Sequence, residues 1–229
     1  MPVAPDVTAH PSPNCGPRRG GLRPRLIVLH HTAMTSAQAA LDRLCDPSAA
    51  VSAHYLICGN GRILQLVKED QRAWHAGVGE WAGQDDINSR SIGIELDNRG
   101  DHPFSEPQMR ALETLLPGIM ERHGIPPDGI IGHSCMAPGR KVDPGPRFDW
   151  ARLARRGLAL PAGDGAAPKT ATADTFRDAA QAAGFTAPCD DATLLETVRM
   201  RFRPHARGPL TPADLAALPA PIDAPRGGV

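Results

Sequence analysis

The stretch Arg25-Leu-Ile-Val-Leu-His-His31 decides the fold. From Leu26 to Leu29 every side chain is aliphatic, so both faces of an extended pleat are apolar, the pattern of a central strand buried on both sides. Such a strand needs neighbours in a sheet and a layer over each face. It ends in two adjacent histidines, which alternation sends to opposite faces.

Working outward, Thr35-Ser-Ala-Gln opens a short helix with a hydroxyl at its cap. His54-Tyr-Leu-Ile-Cys and Arg62-Ile-Leu-Gln-Leu-Val flank Gly59-Asn60-Gly61, a hairpin signal that predicts an antiparallel pair. Ser91-Ile-Gly-Ile-Glu-Leu reads as another strand. Ser105-Glu-Pro-Gln opens a long helix in a capping-box pattern, with Met109, Leu112, Leu116, Ile119 and Met120 as its apolar stripe and Gly124 as its stop. Gly129-Ile-Ile-Gly is a short buried strand that delivers His133, and Asp149-Trp-Ala-Arg-Leu starts another capped helix. The sum is a mixed α/β fold, a central mixed β-sheet flanked by helices.

Composition divides the chain. Residues 1–24 are rich in Pro, Gly and Arg without periodicity, which predicts a loosely ordered arm ahead of a domain over 25–160. Residues 161–171 have the Ala, Gly, Pro and Asp content of a linker. Residues 172–221 hold three short helical patterns, Asp174 to Ala183, Ala192 to Phe202 and Thr211 to Leu218, too little for an independent enzyme and so an attached module. Residues 222–229 are expected to be a frayed tail.

With 229 residues, 41% of them hydrophobic, the chain can bury one good core and a small second one. Its 25 Lys and Arg balance 25 Asp and Glu, so no net field gathers nucleic acid or an anionic membrane. No apolar run approaches the ~18 residues of a membrane span. The N-terminal stretch has neither the basic nor the apolar region of a secretory signal, and the five cysteines form no C-x-x-C pair; both features predict a reduced protein of the cytoplasm. A monomer is expected.

The chemistry lies in a few residues. A catalytic zinc site uses three protein ligands and leaves one position for water. His133, Asp143 and one of His30 and His31 offer such a trio, and periodicity does not choose between the last two. In Ile92-Gly-Ile-Glu-Leu-Asp, Gly93, Glu95 and Asp97 share a face, and Gly93 leaves room beside Glu95 for substrate or metal. A carboxylate in so apolar a strand is a candidate general base with a burial-raised pKa. Lys141, two residues before Asp143, turns to the same side of an extended loop and can meet an oxyanion. Cys135 beside a histidine suggests a cysteine nucleophile instead, but that reading leaves Glu95, Lys141 and Asp143 without roles.

Five motifs occur in order: Ile27-Val-Leu-His-His-Thr, Val51-Ser-Ala-His-Tyr-Leu-Ile, Arg72-Ala-Trp-His-Ala-Gly, Asn88-Ser-Arg-Ser-Ile-Gly-Ile-Glu, and the run from Gly132 to Trp150 containing Gly139-Arg-Lys-Val-Asp-Pro-Gly. Together they resemble the motifs of the family 2 N-acetylmuramoyl-L-alanine amidases, whose fold also serves peptidoglycan recognition proteins. The resemblance covers roughly residues 25–155. It implies one catalytic Zn2+ held by His30, His133 and Asp143, with Glu95 as base and Lys141 as the transition-state cation. The bond cut would be the amide between N-acetylmuramic acid, including its 1,6-anhydro form, and L-alanine. Trp74 and His75 are expected to line the cleft, with His54, Tyr55 and Asn88 as further substrate contacts. Cys135-Met136 stand where relatives commonly carry an acidic and then an aliphatic residue, which implies a changed contact to the metal loop. The C-terminal helices are similar to a small peptidoglycan-binding module. A cytoplasmic chain implies soluble wall fragments as substrate, whereas a wall-binding module implies the polymer. The rival reading is a non-catalytic peptidoglycan-binding protein on the same fold, yet such proteins typically lack a metal ligand, and here all are present.

Overall fold

A computed structural model describes residues 6–222. In chain order its strands are β1 (Val7–Ala9), β2 (Cys15–Pro17), β3 (Leu26–His31), β4 (Tyr55–Ile57), β5 (Ile63–Gln65), β6 (Gln71–Ala73), β7 (Ser91–Leu96) and β8 (Ile130–Gly132). The α-helices are α1 (Ala37–Cys45), α2 (Ile87–Arg90), α3 (Glu106–His123), α4 (His133–Met136), α5 (Trp150–Arg155), α6 (Ala173–Ala182), α7 (Asp191–Phe202) and α8 (Pro212–Ala216).

Six strands form the main sheet in the order β1-β5-β4-β7-β3-β8. It is mixed: β4 and β5 are the antiparallel hairpin, while the pairs β4/β7, β7/β3 and β3/β8 are parallel. β3 lies inside the sheet with both faces covered, as its unbroken aliphatic run requires. Ile27 and Leu29 meet the Met109, Leu112, Leu116 and Ile119 stripe of α3 on one face. Leu26 and Val28 face the other cluster, with Trp81, Ile131, Phe176 and Leu194. Each of these fully buried aliphatic side chains is worth about 1.5–3 kcal/mol over exposure. Helix α1 covers the hairpin through Leu41 and Leu44 against Leu56 and Leu64.

The helix boundaries follow their local signals. Ser36 and Ser105 accept the Ala39 and Gln108 amides at the starts of α1 and α3, a cap worth about 1 kcal/mol. Gly124 ends α3 with φ 61°, a left-handed conformation that costs glycine little. Asp149 caps α5 through the Arg152 amide.

The N-terminal stretch departs from the expected loose arm. β1 pairs parallel with β5 and extends the main sheet, and β2 pairs antiparallel with β6. Three-residue strands are too short to show a period. What fixes the stretch is side-chain bonding to distant backbone: Asn14 donates to the Asp46 and Val51 carbonyls, and Arg18 to those of Asn88, Ser89, Ser91 and Glu69. Residues 1–5 of the arm and 223–229 of the tail lie outside the described residues.

Helices α6, α7 and α8 share one apolar cluster with the sheet. Phe185 meets the Trp81 ring edge-on at 5.0 Å, and Arg199 and Arg203 close on the buried Asp214 to tie α7 to α8. Among the described residues no helix is long and apolar enough to cross a membrane.

Candidate metal centre and catalytic cavity

Register brings the site together. β3 and β7 are aligned with His30 opposite Glu95, and β3 and β8 with Leu29 opposite Gly132. His133, the next residue, therefore emerges beside His30. Three adjacent parallel strands present Glu95, His30 and His133 at their carboxyl ends, where open α/β sheets form ligand crevices. Ser134 N–H donates to the Asp143 carbonyl at 3.0 Å, which folds the following loop back over the crevice.

The result is a triangle of donor atoms. His30 Nδ1 lies 2.9 Å from His133 Nδ1 and 2.9 Å from Asp143 Oδ2, and His133 Nδ1 lies 3.0 Å from the same oxygen. His30 and His133 are 1% and 3% exposed. Among the described residues this is the group of three or more His, Cys, Asp or Glu side chains able to share a metal ion. His31 stays outside the triangle, with Nδ1 3.2 Å from the Pro144 carbonyl, and lines the rim of the same cavity.

Hydrogen bonds behind the triangle fix the tautomers. Ser91 Oγ donates to the Ile87 carbonyl at 2.6 Å, so it accepts from His75 Nε2, 3.1 Å away. His75 Nδ1 is then an acceptor and takes the His30 Nε2 proton across 3.0 Å. His133 Nε2 faces the Ala76 carbonyl at 2.9 Å, which only accepts. Both Nδ1 lone pairs therefore point at Asp143 Oδ2 with no proton between the three atoms. Such a set repels itself unless a cation sits inside it. Tetrahedral zinc with bonds of roughly 2.0–2.2 Å places its ligands roughly 3.3 Å apart, a few tenths of an ångström wider than found here. The donor set fits the metal.

Charge states agree. Burial first, then His133, push the His30 imidazole down to about 4 against the opposing pull of Asp143, so it is neutral near pH 7. Glu95 goes the other way. Burial first, then the Asp143 charge, raise it to about 8 while Lys141 opposes. Its Oε2 is sealed and has no hydrogen-bond partner.

Glu95, Lys141, His30, His133 and Asp143 all line one cavity of about 410 Å³. Its outer wall is apolar along Met34, Leu44 and Val51, and Arg43 and Arg140 add positive charge. Arg140 donates to the Ala76 and Val78 carbonyls and so fixes the segment that orients His133.

Of the five expected substrate contacts, His75 lines this cavity and the others do not. Even His75 is 6% exposed and is bonded to His30 from behind. The space beside Gly93, expected for substrate or metal, is filled by that ring: a Cβ on Gly93 would lie 2.4 Å from His75 Cγ. His54 is buried, accepts the Gly93 amide at 2.9 Å and meets Arg18. Asn88 accepts the His75 and Ala76 amides, and Tyr55 donates to Glu69 across the sheet. The Trp74 amide donates to Ser52. His54, His75 and Asn88 build the frame behind the centre. Cys135 and Met136 are buried under α7, away from the triangle, and burial raises the Cys135 thiol. Ser91 and Arg140 escaped sequence reading, although Gly93 in a strand signals a close approach.

The family model described as N-acetylmuramoyl-L-alanine amidase matches residues 20–146. The chain is similar to the N-acetylmuramoyl-L-alanine amidase AmiD of Escherichia coli, 40% identical over 152 residues, which are 59% of this chain and 54% of that protein; the match thus spans about half of that relative. It is 36% identical over 165 residues to the 1,6-anhydro-N-acetylmuramyl-L-alanine amidase AmpD of Enterobacter cloacae, covering 65% of this chain and 88% of the relative. Its fold is similar to that of E. coli AmiD solved with anhydro-N-acetylmuramic acid-L-Ala-D-gamma-Glu-L-Lys, with TM-score 0.77, 30% identity and coverage of 87% and 89%. AmpDh3 of Pseudomonas aeruginosa, solved with an anhydromuramic pentapeptide, gives TM-score 0.75 at 33% identity, covering 89% of this chain and 92% of that one.

Proposed function

The chain belongs to the N-acetylmuramoyl-L-alanine amidase family, and on that premise we propose that it hydrolyses the amide between N-acetylmuramic acid, including the 1,6-anhydro form, and L-alanine in peptidoglycan fragments. The observation that carries the reading is the cavity that unites a proton-free His30, His133 and Asp143 triangle with an unpartnered carboxyl and a lysine. The two relatives solved with anhydromuramic peptides support the substrate class.

His30, His133 and Asp143 would hold one zinc ion, which when bound acts as a Lewis acid and makes water nucleophilic near neutral pH. The remaining chemistry is the chain's own. The Glu95 carboxylate accepts a proton from the attacking water as its oxygen bonds to the lactyl carbonyl carbon. The Lys141 ammonium faces the oxygen on which negative charge develops. Glu95 then gives its proton to the alanine nitrogen as the C–N bond breaks, leaving a muramyl carboxylic acid and a free peptide. One carboxyl can serve as acid and base in turn because a pKa raised toward neutrality makes both directions inexpensive. His75 and Ser91 keep the His30 ring at one angle, and Arg140 keeps the Ala76 carbonyl in place for His133.

The full chain is tested on soluble anhydro- and reducing muropeptides and on intact sacculi, with and without a tight chelator. Mass analysis should show release of the stem peptide that chelation stops and added zinc restores. Cleavage that ignores the chelator would overturn the metal role. Binding of muropeptide without any release would favour the non-catalytic reading.

A further inference from the structure

A second cavity, about 480 Å³, lies between the loop 146–150 and the end of α7. Val142 lines the catalytic cavity and Pro146 this one, so the same loop walls both. At its base is Arg201, 7% exposed. The guanidinium lies over the Trp150 ring at 3.8 Å and over Phe202 at 4.7 Å. Its hydrogen bond within the protein runs from Nη2 to the Leu160 carbonyl at 3.0 Å. Among the described residues it has no carboxylate partner. Nε and Nη1 bond to nothing in the protein and are not sealed from solvent, and the side chain lines the cavity.

A buried cation without an anion is costly, and buried charges in folded proteins are normally paired. The other arginines of this region show the contrast: Arg199 and Arg203 both close on Asp214. Burial pushes the Arg201 guanidinium down to about 10, so it remains charged near pH 7 while poorly solvated. At the rim, exposed Arg147 adds positive charge. Asp149 is also there, but its Oδ1 accepts the Arg152 amide at the start of α5. The walls between are Phe148, Phe202 and Leu160. An apolar slot with a cationic base suits a carboxylate on a short aliphatic chain.

We propose that this cavity binds a carboxylate-bearing peptide, the carboxylate meeting the open edge of the Arg201 guanidinium at Nη1 and the aliphatic part lying against Phe148 and Leu160. The volume far exceeds what a lone carboxylate fills, which favours a peptide over a free acid. The proposal rests on the substrate reading above for one point, that the peptide is a stem peptide. A wall strand carrying neighbouring stems would then place one in each cavity, and the enzyme would hold the polymer at a point away from the bond it cuts.

The test uses the full zinc-loaded chain and the peptide L-Ala-γ-D-Glu-L-Lys, followed by NMR through the Trp150 indole N–H and the Arg201 Nε–H. Saturable movement of both signals with Kd on the order of 1 mM or below is expected. The same peptide with both carboxyl groups amidated should bind at least about tenfold more weakly. Ala162→Phe, which fills the slot from its exposed wall, should do the same, as should Arg201→Gln. If Arg201→Gln does not fold, the amidated peptide and Ala162→Phe decide the matter. Absence of saturable movement, equal binding of the amidated peptide, or equal binding of glutarate would each overturn the proposal. Amide hydrolysis by the same preparation is measured separately, so failure here is distinguishable from failure of the amidase reading.

Discussion

Glu95→Gln perturbs stability and catalysis in opposite directions. In the metal-free protein the Glu95 carboxyl is raised from the usual 4.5 to about 8. The folded state therefore holds this proton more tightly than the unfolded state does. The associated stability is fully present below about pH 4.5 and is lost as pH rises toward 8. Between pH 4 and pH 7 that loss is at most about 3 kcal/mol, and solvent reaching the carboxyl through the cavity mouth reduces it to about 2 kcal/mol. The variant has no charge to bury and escapes the loss. Urea unfolding of both metal-free proteins at the two pH values isolates the term, because every other titrating group is common to both. The variant should gain about 2 kcal/mol on the wild type between pH 4 and pH 7, and zinc should shrink the gain, since a nearby cation favours the carboxylate. Hydrolysis should fall by about 10²–10⁴-fold. A stability difference that does not change with pH would refute the burial argument, and activity within about tenfold of wild type would remove Glu95 as the base.

Three further outcomes follow from contacts in the structure. His75→Ala frees the His30 ring from the Ser91 relay and should weaken zinc binding by about 10–100-fold in competition with a chelator, and unchanged affinity would count against the relay. Lys141→Met should lower kcat by about 10²-fold with little change in KM; a loss confined to KM would make Lys141 a ground-state contact. Asp214→Asn leaves Arg199 and Arg203 without their buried partner and should cost about 3 kcal/mol, seen as faster amide exchange in α7 and α8. Burial alone would raise Asp214, but the bonds from Arg199 outweigh it and hold it low. This stabilisation is therefore present above the unfolded carboxylate range and lost as pH falls through the lowered value.

What the sequence determined by itself was local. The aliphatic run of β3, the Gly59-Asn60-Gly61 turn, the Ser36, Ser105 and Asp149 caps and the Gly124 stop each act within a few residues, so their patterns are complete in a short window. The five ordered motifs singled out His30, His133, Asp143, Glu95 and Lys141, and alternation separated His30 from His31. Only the tertiary structure decided what lies behind those residues. The packing of His75 into the space left by Gly93, the bonding of Arg18 across the sheet and the stacking of Arg201 on Trp150 join residues 18 to 73 positions apart. Partners that distant are set by strand register and layer packing, and no periodicity in the chain encodes them. The expected substrate contacts illustrate the difference: His54 and Asn88 were read from motifs near the site, and their hydrogen bonds place them in the frame that aims it, whereas Tyr55 bonds Glu69 on the α3 side of the sheet.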